Sequence, residues 1–152
     1  MVTSAGVEDA LAASNLASAI IDWEEYGKNH TIMIANTRRA FERFRDALIV
    51  NLNLDEQLNT TKHNGIYSQV AILKYIVYNV SGENIEIWEM DGYGNVMIQR
   101  NGKLGEVFTP DMVKVEGTTI YSKVGFWVEG LMEQQIYAQK EKSVDIKRCD
   151  SE

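Results

Sequence analysis

The stretch that decides the fold runs from Asn84 to Gly117 and reads NIEIWEMDGYGNVMIQRNGKLGEVFTPDMVKVEG. Short apolar runs alternate in it with turn residues that accept positive φ, which is typical of antiparallel hairpins. Asn101-Gly102 predicts a two-residue type I′ turn, and Pro110-Asp111 predicts the middle of a type I turn. The stretch therefore predicts an antiparallel meander, in which Val96 and Ile98 continue the second strand. Residues 118–124 add a further strand.

The first strand of this meander is apolar on both of its faces. Ile85 and Ile87 share one face, whereas Trp88 and Met90 share the other. A sheet with one solvated face shows a cleaner alternation of apolar and polar residues. We therefore expect the second face to be covered by a helix layer or by another protein chain.

The N-terminal residues predict a first helix. We place it at about residues 5 to 26, with Ser4 as its cap. Apolar residues recur at helical spacing and make one face, built largely from alanine. The residues of this face are Val7, Ala10, Ala13, Leu16, Ala17, Ile20 and Trp23.

A second helix follows, and it has two interpretations. An apolar stripe is continuous if one helix runs from Thr31 to Asn53. In the alternative, Thr31 to Ala35 forms a short strand, and Asn36 or Thr37 caps a helix that begins at Arg38. The continuity of the stripe favours the single helix.

Two further segments complete the predicted architecture. From Ile66 to Val80 a helical stripe competes with β-branched and aromatic residues, which favour a buried strand. From Leu131 to Lys142 strong helix formers predict a C-terminal helix that covers the sheet. The predicted class is α+β, with N-terminal helices, an antiparallel β-meander of about five strands and a C-terminal helix. Residues 1–142 form a single domain, and residues 143–152 form a polar tail that is either free or paired along a sheet edge.

Length, composition and charge limit the class of protein. The chain has 152 residues, of which 45% are hydrophobic and 24% charged, as in an ordinary folded domain. Its net charge of −7 argues against a phosphate-binding surface spread over the whole domain. No apolar run approaches the roughly 20 residues that span a bilayer, and the N-terminus lacks the basic start of a secretory signal. We therefore expect a cytoplasmic or virion-associated protein that neither enters a membrane nor is secreted by a signal peptide.

The side chains that most often carry chemistry are sparse. His30 and His63 each stand alone, without other ligands at metal-binding spacing. Cys149 lies in the polar tail, and Gly92-Tyr93-Gly94 is followed by a strand instead of the helix that a phosphate loop needs. The sequence therefore assigns no catalytic residue, no cofactor and no metal ligand, and it favours a role other than catalysis.

Two groups of charged residues are better explained by solvation and pairing. A pair of carboxylates across neighbouring strands could serve acid–base catalysis, although most surface carboxylates do not. The carboxylates that border the meander are Glu86, Glu89, Asp91, Asp111 and Glu116. The basic cluster consists of Arg38, Arg39, Arg43 and Arg45, interleaved with Glu42 and Asp46. Ion pairs within a helix explain this cluster better than nucleic-acid binding does.

The remaining feature is a surplus of aromatic and methionine residues, which protein interfaces favour. The interface candidates are Trp88, Met90, Trp23, Trp127, Arg39 and Arg43. The leading hypothesis is a structural or assembly protein that acts through protein–protein contacts, as a homo-oligomer or within a larger assembly. A virion or phage head–tail subunit of connector or terminator type is an example, by analogy of size. The alternatives are a small-molecule-binding or hydrolytic α+β domain and an acidic regulatory adaptor.

Overall fold

The computed structural model describes residues 4–19, 34, 36–60, 69–129, 132 and 134–146. Two helices, α1 (Ser4–Ala17) and α2 (Thr37–Leu52), pack on one face of a five-stranded sheet. The strands are β1 (Ala71–Ser81), β2 (Asn84–Met90), β3 (Val96–Lys103), β4 (Thr119–Glu129) and β5 (Gln135–Asp145). All neighbours are antiparallel, in the order β3-β2-β1-β4-β5. The predicted α+β class is confirmed. A strand within the segment from Ile66 to Val80 is also confirmed, although it begins at Ala71 and residues 66–68 lie outside the described residues.

The C-terminal helix predicted for Leu131 to Lys142 is wrong. Residues 135–145 form β5, which pairs with β4 along its whole length. Without β5, the edge of β4 would present a row of unpaired backbone groups. The hydrogen bonds that β5 makes to this row outweigh intrinsic helix propensity, which differs by no more than about 0.7 kcal/mol among ordinary residue types. In addition, Ala138 and Val144 of β5 pack against the core between sheet and helices.

The turn between β1 and β2 contains two residues, and the glycine at its first position is required by its geometry. Gly82 has a φ of +61° and follows Ser81, which pairs with Asn84. Glycine at the first central position is the mark of a type II′ hairpin turn. The two-residue turn predicted at Asn101-Gly102 is wrong, because both residues lie inside β3 and pair with β2. An Asn-Gly pair forms a hairpin only when the residues on either side of it pair with each other.

Three five-residue loops share one conformation, at residues 55–59, 91–95 and 109–113. In each loop the backbone N–H of the first residue donates to the carbonyl of the fifth, at 2.8 to 3.0 Å. The side-chain oxygen of the first residue accepts the N–H of the fifth at 2.9 to 3.0 Å. The fourth residue has a positive φ, as in hairpin loops that combine a type I turn with a left-handed residue. The type I turn predicted at Pro110-Asp111 is confirmed by its hydrogen bond from Met112 to Thr109.

The left-handed position of the third loop offers a route to stabilisation. Met112 has a φ of +66° and its side chain is 79% exposed. A non-glycine residue there costs roughly 1 kcal/mol, and little apolar contact would be lost with this side chain. Replacing Met112 by glycine is therefore expected to raise the free energy of unfolding by about 0.5 kcal/mol, measured by urea denaturation.

The matched control is Leu58, which occupies the same position in the first loop with a φ of +67° but is only 8% exposed. Leu58→Gly relieves the same strain and removes a buried side chain, so a net loss of about 2 kcal/mol is expected. A loss of stability in Met112→Gly of similar size to that in Leu58→Gly would contradict the strain argument.

Helix α2 begins at Thr37, so the single helix predicted from Thr31 to Asn53 is wrong, and the cap at Asn36 from the alternative interpretation is confirmed. The short strand that the alternative placed at Thr31 to Ala35 lies outside the described residues except for Ile34. The Asn36 backbone is extended, and its Oδ1 accepts an N–H of the first helical turn at 2.9 Å. Just before it, Ile34 N–H donates to Asn79 Oδ1 at 2.7 Å, and Asn79 Nδ2 donates to the Ile34 carbonyl at 3.3 Å. Asn79 therefore holds Ile34 outside the helix, against the sheet.

Helix α1 buries a partly polar face instead of the alanine-rich face predicted for it. Val7 and Ala10 are buried as expected. The helix ends at Ala17, well before the predicted end, and the predicted Ile20 and Trp23 lie outside the described residues. Three residues of the predicted face are exposed: Ala13, Leu16 and Ala17. The residues buried in their place are Leu11, Ser14, Asn15 and Ser18.

Hydrogen bonds explain this rotation of α1. Asn15 Nδ2 donates to carbonyl oxygens of β4 and β5 at 3.3 and 3.1 Å, and its Oδ1 accepts from Ser122 Oγ at 2.7 Å. The Tyr75 hydroxyl donates to Ser18 Oγ at 2.9 Å. Burying polar groups costs little when each finds a partner. The helix is therefore positioned on the sheet by polar contacts as well as by apolar packing.

Both faces of β2 are covered by the chain itself. Trp88 and Met90 face the helices and contact the core that these form with the sheet. Ile85 and Ile87 face the opposite side, where the β3–β4 loop (residues 104–118) packs two valines against the sheet. A helix layer therefore covers one face of this strand, and a loop covers the other.

Candidate protein interface

The predicted aromatic and methionine interface residues lie in different places. Met90 is 1% exposed beneath the helices, and Trp88 is half-buried beside it, with its indole N–H donating to a carboxylate of its own strand at 2.8 Å. Trp127 is 41% exposed, and its ring centre lies 5.1 Å from that of Tyr137. Trp23 lies outside the described residues. Of the tryptophans that the structure describes, Trp127 is the one that presents its ring to solvent.

The predicted arginines lie on the outer face of α2. Arg39 and Arg43 are exposed, line a shallow concavity and make no ion pair with any described residue. Arg38 pairs with Glu42 at 3.5 Å, which confirms intrahelical pairing for that residue. Arg38 also donates to the 91–95 loop at 3.2 and 3.3 Å. It therefore fastens the start of α2 to the loop that leads into β3.

The most exposed part of the sheet is β3, whose first three residues are all apolar. Val96, Met97 and Ile98 are 46%, 67% and 46% exposed. The register with β2 shifts between Glu89 and Met90, so Met97 is an extra residue on β3 and forms a bulge. Beyond the bulge the pairing is regular to the end of the strand. This edge therefore consists of a regularly paired strand that begins with three solvent-exposed apolar residues.

Within the part of the chain that the structure describes, the backbone of β3 is hydrogen-bonded on one side only. It pairs with β2, and no strand within residues 69–129 or 134–146 lies beyond it. Leu104 N–H donates to Glu83 O at 2.8 Å, and hydrogen-bonded pairs recur at every second residue of an antiparallel ladder. This alternation places Gln99 and Asn101 at positions that are not hydrogen-bonded to β2. Their backbone N–H and C=O groups therefore face away from β2, toward solvent.

The two edges of the sheet differ in charge pattern. β3 carries Arg100 and Lys103 and has no carboxylate, whereas β5 carries cations and anions together. The charged residues of β5 are Lys140, Glu141, Lys142 and Asp145. Mixed charges along an edge hinder pairing with another strand. The β3 edge is the less protected of the two, and it is cationic in a chain whose net charge is −7.

Sequence reasoning missed this edge as an interface, although it placed Val96 and Ile98 in a strand. The available signal was the run of three apolar residues, which breaks the alternation expected of a half-buried strand. That signal alone does not identify an edge strand. The identification requires the strand order, which is set by pairing across the whole sheet.

A second cluster, between the β3–β4 loop and the sheet, contains tyrosines and carboxylates. The Tyr121 hydroxyl donates to Glu141 at 2.5 Å, and the two oxygens of Asp111 accept from Ser143 at 3.1 Å and from a hydroxyl of its own loop. Burial raises the pKa of Tyr78 to about 12, and burial together with the Glu141 hydrogen bond raises the pKa of Tyr121 further. These phenols stay neutral at physiological pH. The cluster therefore fixes the β3–β4 loop to β5, and both oxygens of Asp111 take part in its hydrogen bonds.

The glycine-containing loop at 91–95 closes a hairpin, as its sequence predicts. Asp91 Oδ1 accepts the N–H groups of Asn95 and Tyr93 at 2.9 and 2.8 Å, and these bonds lower the pKa of the Asp91 carboxyl. Among the described residues no group of three His, Cys, Asp or Glu side chains could hold a metal ion. His30, His63 and Cys149 lie outside those residues.

Neither α1 nor α2 has the length and apolarity of a membrane-crossing helix, and these are the helices within the described residues. No protein family matches the chain, and comparisons with curated proteins and with solved structures find no match.

Proposed function

We propose that this chain is a structural or assembly protein that acts through protein–protein contacts and joins another chain by strand addition along β3. The observation that supports this function is the outer edge of β3, where outward-facing backbone groups adjoin three consecutive exposed apolar residues. The other chain belongs to a homo-oligomer or to a larger assembly.

Folded proteins usually protect the edges of their sheets from pairing with other chains. Edge strands of monomers are usually short, interrupted by proline, charged or covered. β3 has eight residues and no proline, and all of them except the half-buried Gly102 are exposed. Its charged residues are the two cations Arg100 and Lys103. A strand added there would bond to the backbone of Gln99 and Asn101, and its alternate side chains would lie on both faces of the sheet.

By analogy of size, this class of protein includes ring and shell subunits of virus particles and phage head–tail junctions. A protein of this class resides in the cytoplasm or in a virion. The helix face and the loop face of β2 are both covered within the chain, whereas no described strand pairs with the outer edge of its neighbour β3.

The test is amide hydrogen exchange at β3, followed by NMR. Three samples are compared with the dilute chain: the chain alone at roughly 1 mM, and the chain with an excess of an extended peptide that carries either glutamates or lysines. At least one of them is expected to slow the exchange of the Gln99 and Asn101 amides by about tenfold or more. If none of them slows it, the function is refuted.

A matched pair of variants locates the effect. Ile98→Lys adds a charge to the β3 edge and is expected to abolish the protection, because a buried unpaired ammonium opposes strand addition. Val50→Lys makes a comparable change on α2, where the side chain is 74% exposed, and is expected to leave the protection unchanged. Equal loss in both variants would show that the contact does not use β3.

A further inference from the structure

The charges of β3 define the kind of strand that it accepts. Arg100 and Lys103 make no ion pair with any described residue, and the strand itself contains no carboxylate. The carboxylates of the neighbouring strand have other partners. Glu89 lies 3.7 Å from Lys74 Nζ, and Glu86 accepts the indole N–H of Trp88. Two cations at this edge are therefore available to a bound chain.

These two cations lie on opposite faces of the sheet. Arg100 pairs with Ile87, which belongs to the face covered by the β3–β4 loop. Lys103 is three residues further along, and side chains alternate between faces along a strand, so its side chain lies on the helix side. A partner strand must therefore offer carboxylates three residues apart, one on each face, to meet both cations.

A second copy of β3 does not meet this requirement. Pairing two β3 strands would place four cations and no carboxylate along one seam, between two chains whose net charge is −7 each. Like charges opposite each other destabilise a strand pair. The same cations that oppose self-pairing would favour an acidic strand, which is how one edge can both attract one partner and reject others.

From these observations we infer that the natural occupant of the β3 edge is an extended acidic segment of a different protein, with Glu or Asp at positions i and i+3. Arg100 and Ile98 are two residues apart on β3 and share a face of the sheet. In the bound segment, an apolar residue two positions beyond the carboxylate that faces Arg100 would therefore lie against Ile98. This inference rests on the proposed function and specifies the partner of the same edge.

The experiment compares three capped peptides by their protection of the Gln99 and Asn101 amides. The matched peptide is Ac-Thr-Glu-Thr-Val-Glu-Thr-Val-NH2, with its carboxylates three residues apart. An isomer of the same composition, Ac-Thr-Glu-Thr-Glu-Val-Thr-Val-NH2, places both on one face. In the third peptide lysines replace both glutamates of the matched sequence.

The matched peptide is expected to bind about tenfold more tightly than the lysine peptide and about threefold more tightly than the isomer, at low salt. The double variant Arg100→Gln, Lys103→Gln should bind all three peptides within about twofold of one another. Both replaced side chains are exposed, so the fold is expected to tolerate the change. The exchange rates of the other β3 amides show whether the variant keeps the fold.

Several outcomes would overturn the inference while leaving the proposed function intact. These are equal or tighter binding of the lysine peptide, equal binding of the isomer, and protection in the chain alone at high concentration. Tighter binding of a single-stranded oligonucleotide than of the matched peptide, lost in the same double variant, would overturn it in favour of nucleic acid. Failure of every sample to protect Gln99 and Asn101 would refute the function and the inference together.

Discussion

Replacing Asn15 by alanine is expected to lower the free energy of unfolding by about 2 to 4 kcal/mol. Asn15 is fully buried on α1, where its Nδ2 donates to the carbonyls of Ile120 and Lys142 and its Oδ1 accepts from Ser122 Oγ at 2.7 Å. Truncation leaves the Ser122 hydroxyl without this acceptor in a site that water does not reach. Urea denaturation, monitored by far-UV circular dichroism, measures the loss.

The sign of this change in stability shows whether helix propensity or tertiary hydrogen bonding dominates at position 15. Alanine has a higher helix propensity than asparagine by about 0.5 kcal/mol, so a helix that acted alone would be stabilised. Leu16→Ala, one residue further on α1, provides the control, because that side chain is 54% exposed and a change within about 0.5 kcal/mol is expected. An Asn15→Ala chain as stable as the wild type would contradict a positioning role for the polar network.

Replacing Gly94 by alanine is expected to cost about 2 to 5 kcal/mol, the sum of backbone strain and overpacking. Gly94 has a φ of +84°, and a Cβ atom placed on it would lie 2.7 Å from Cδ2 of the Phe41 ring. Phe41 is buried among aromatic rings of α2 and β1 and packs edge-on against Tyr75, with ring centres 5.4 Å apart. The ring therefore has little room to move away. Equilibrium unfolding in urea measures the cost.

Gly105 separates the two contributions to that cost. It has a similar φ of +93°, but a Cβ placed on it would meet no atom within 4 Å. Gly105→Ala is therefore expected to cost only the backbone strain, about 1 to 2 kcal/mol. The difference between the two variants measures the contact between the 91–95 loop and α2. An equal loss of stability in the two variants would mean that the Phe41 ring moves aside easily. The loop and the helix would then be less tightly packed than this geometry implies.

The candidate interface shows how far sequence reasoning extends toward a site. The sequence predicted that Trp88 and Met90 needed cover, and the helix layer supplies it. It also assigned Val96 and Ile98 to a strand, which the structure confirms. It did not reveal that this strand is an edge, because a strand is an edge only by virtue of where all the other strands lie.

The sequence by itself determined the features whose stabilising contacts lie within about five residues. These are the 91–95 hairpin loop, the Pro110-Asp111 turn and the alternative cap at Asn36, where a side chain or a glycine meets a backbone requirement nearby. Tertiary structure decided the rest. Residues 135–145 form a strand because their backbone groups pair with those of β4. Asn15 is buried because it accepts a hydrogen bond from Ser122, 107 positions away. Such contacts join distant segments, so their free energy does not appear in the local pattern and overrides it where the two disagree.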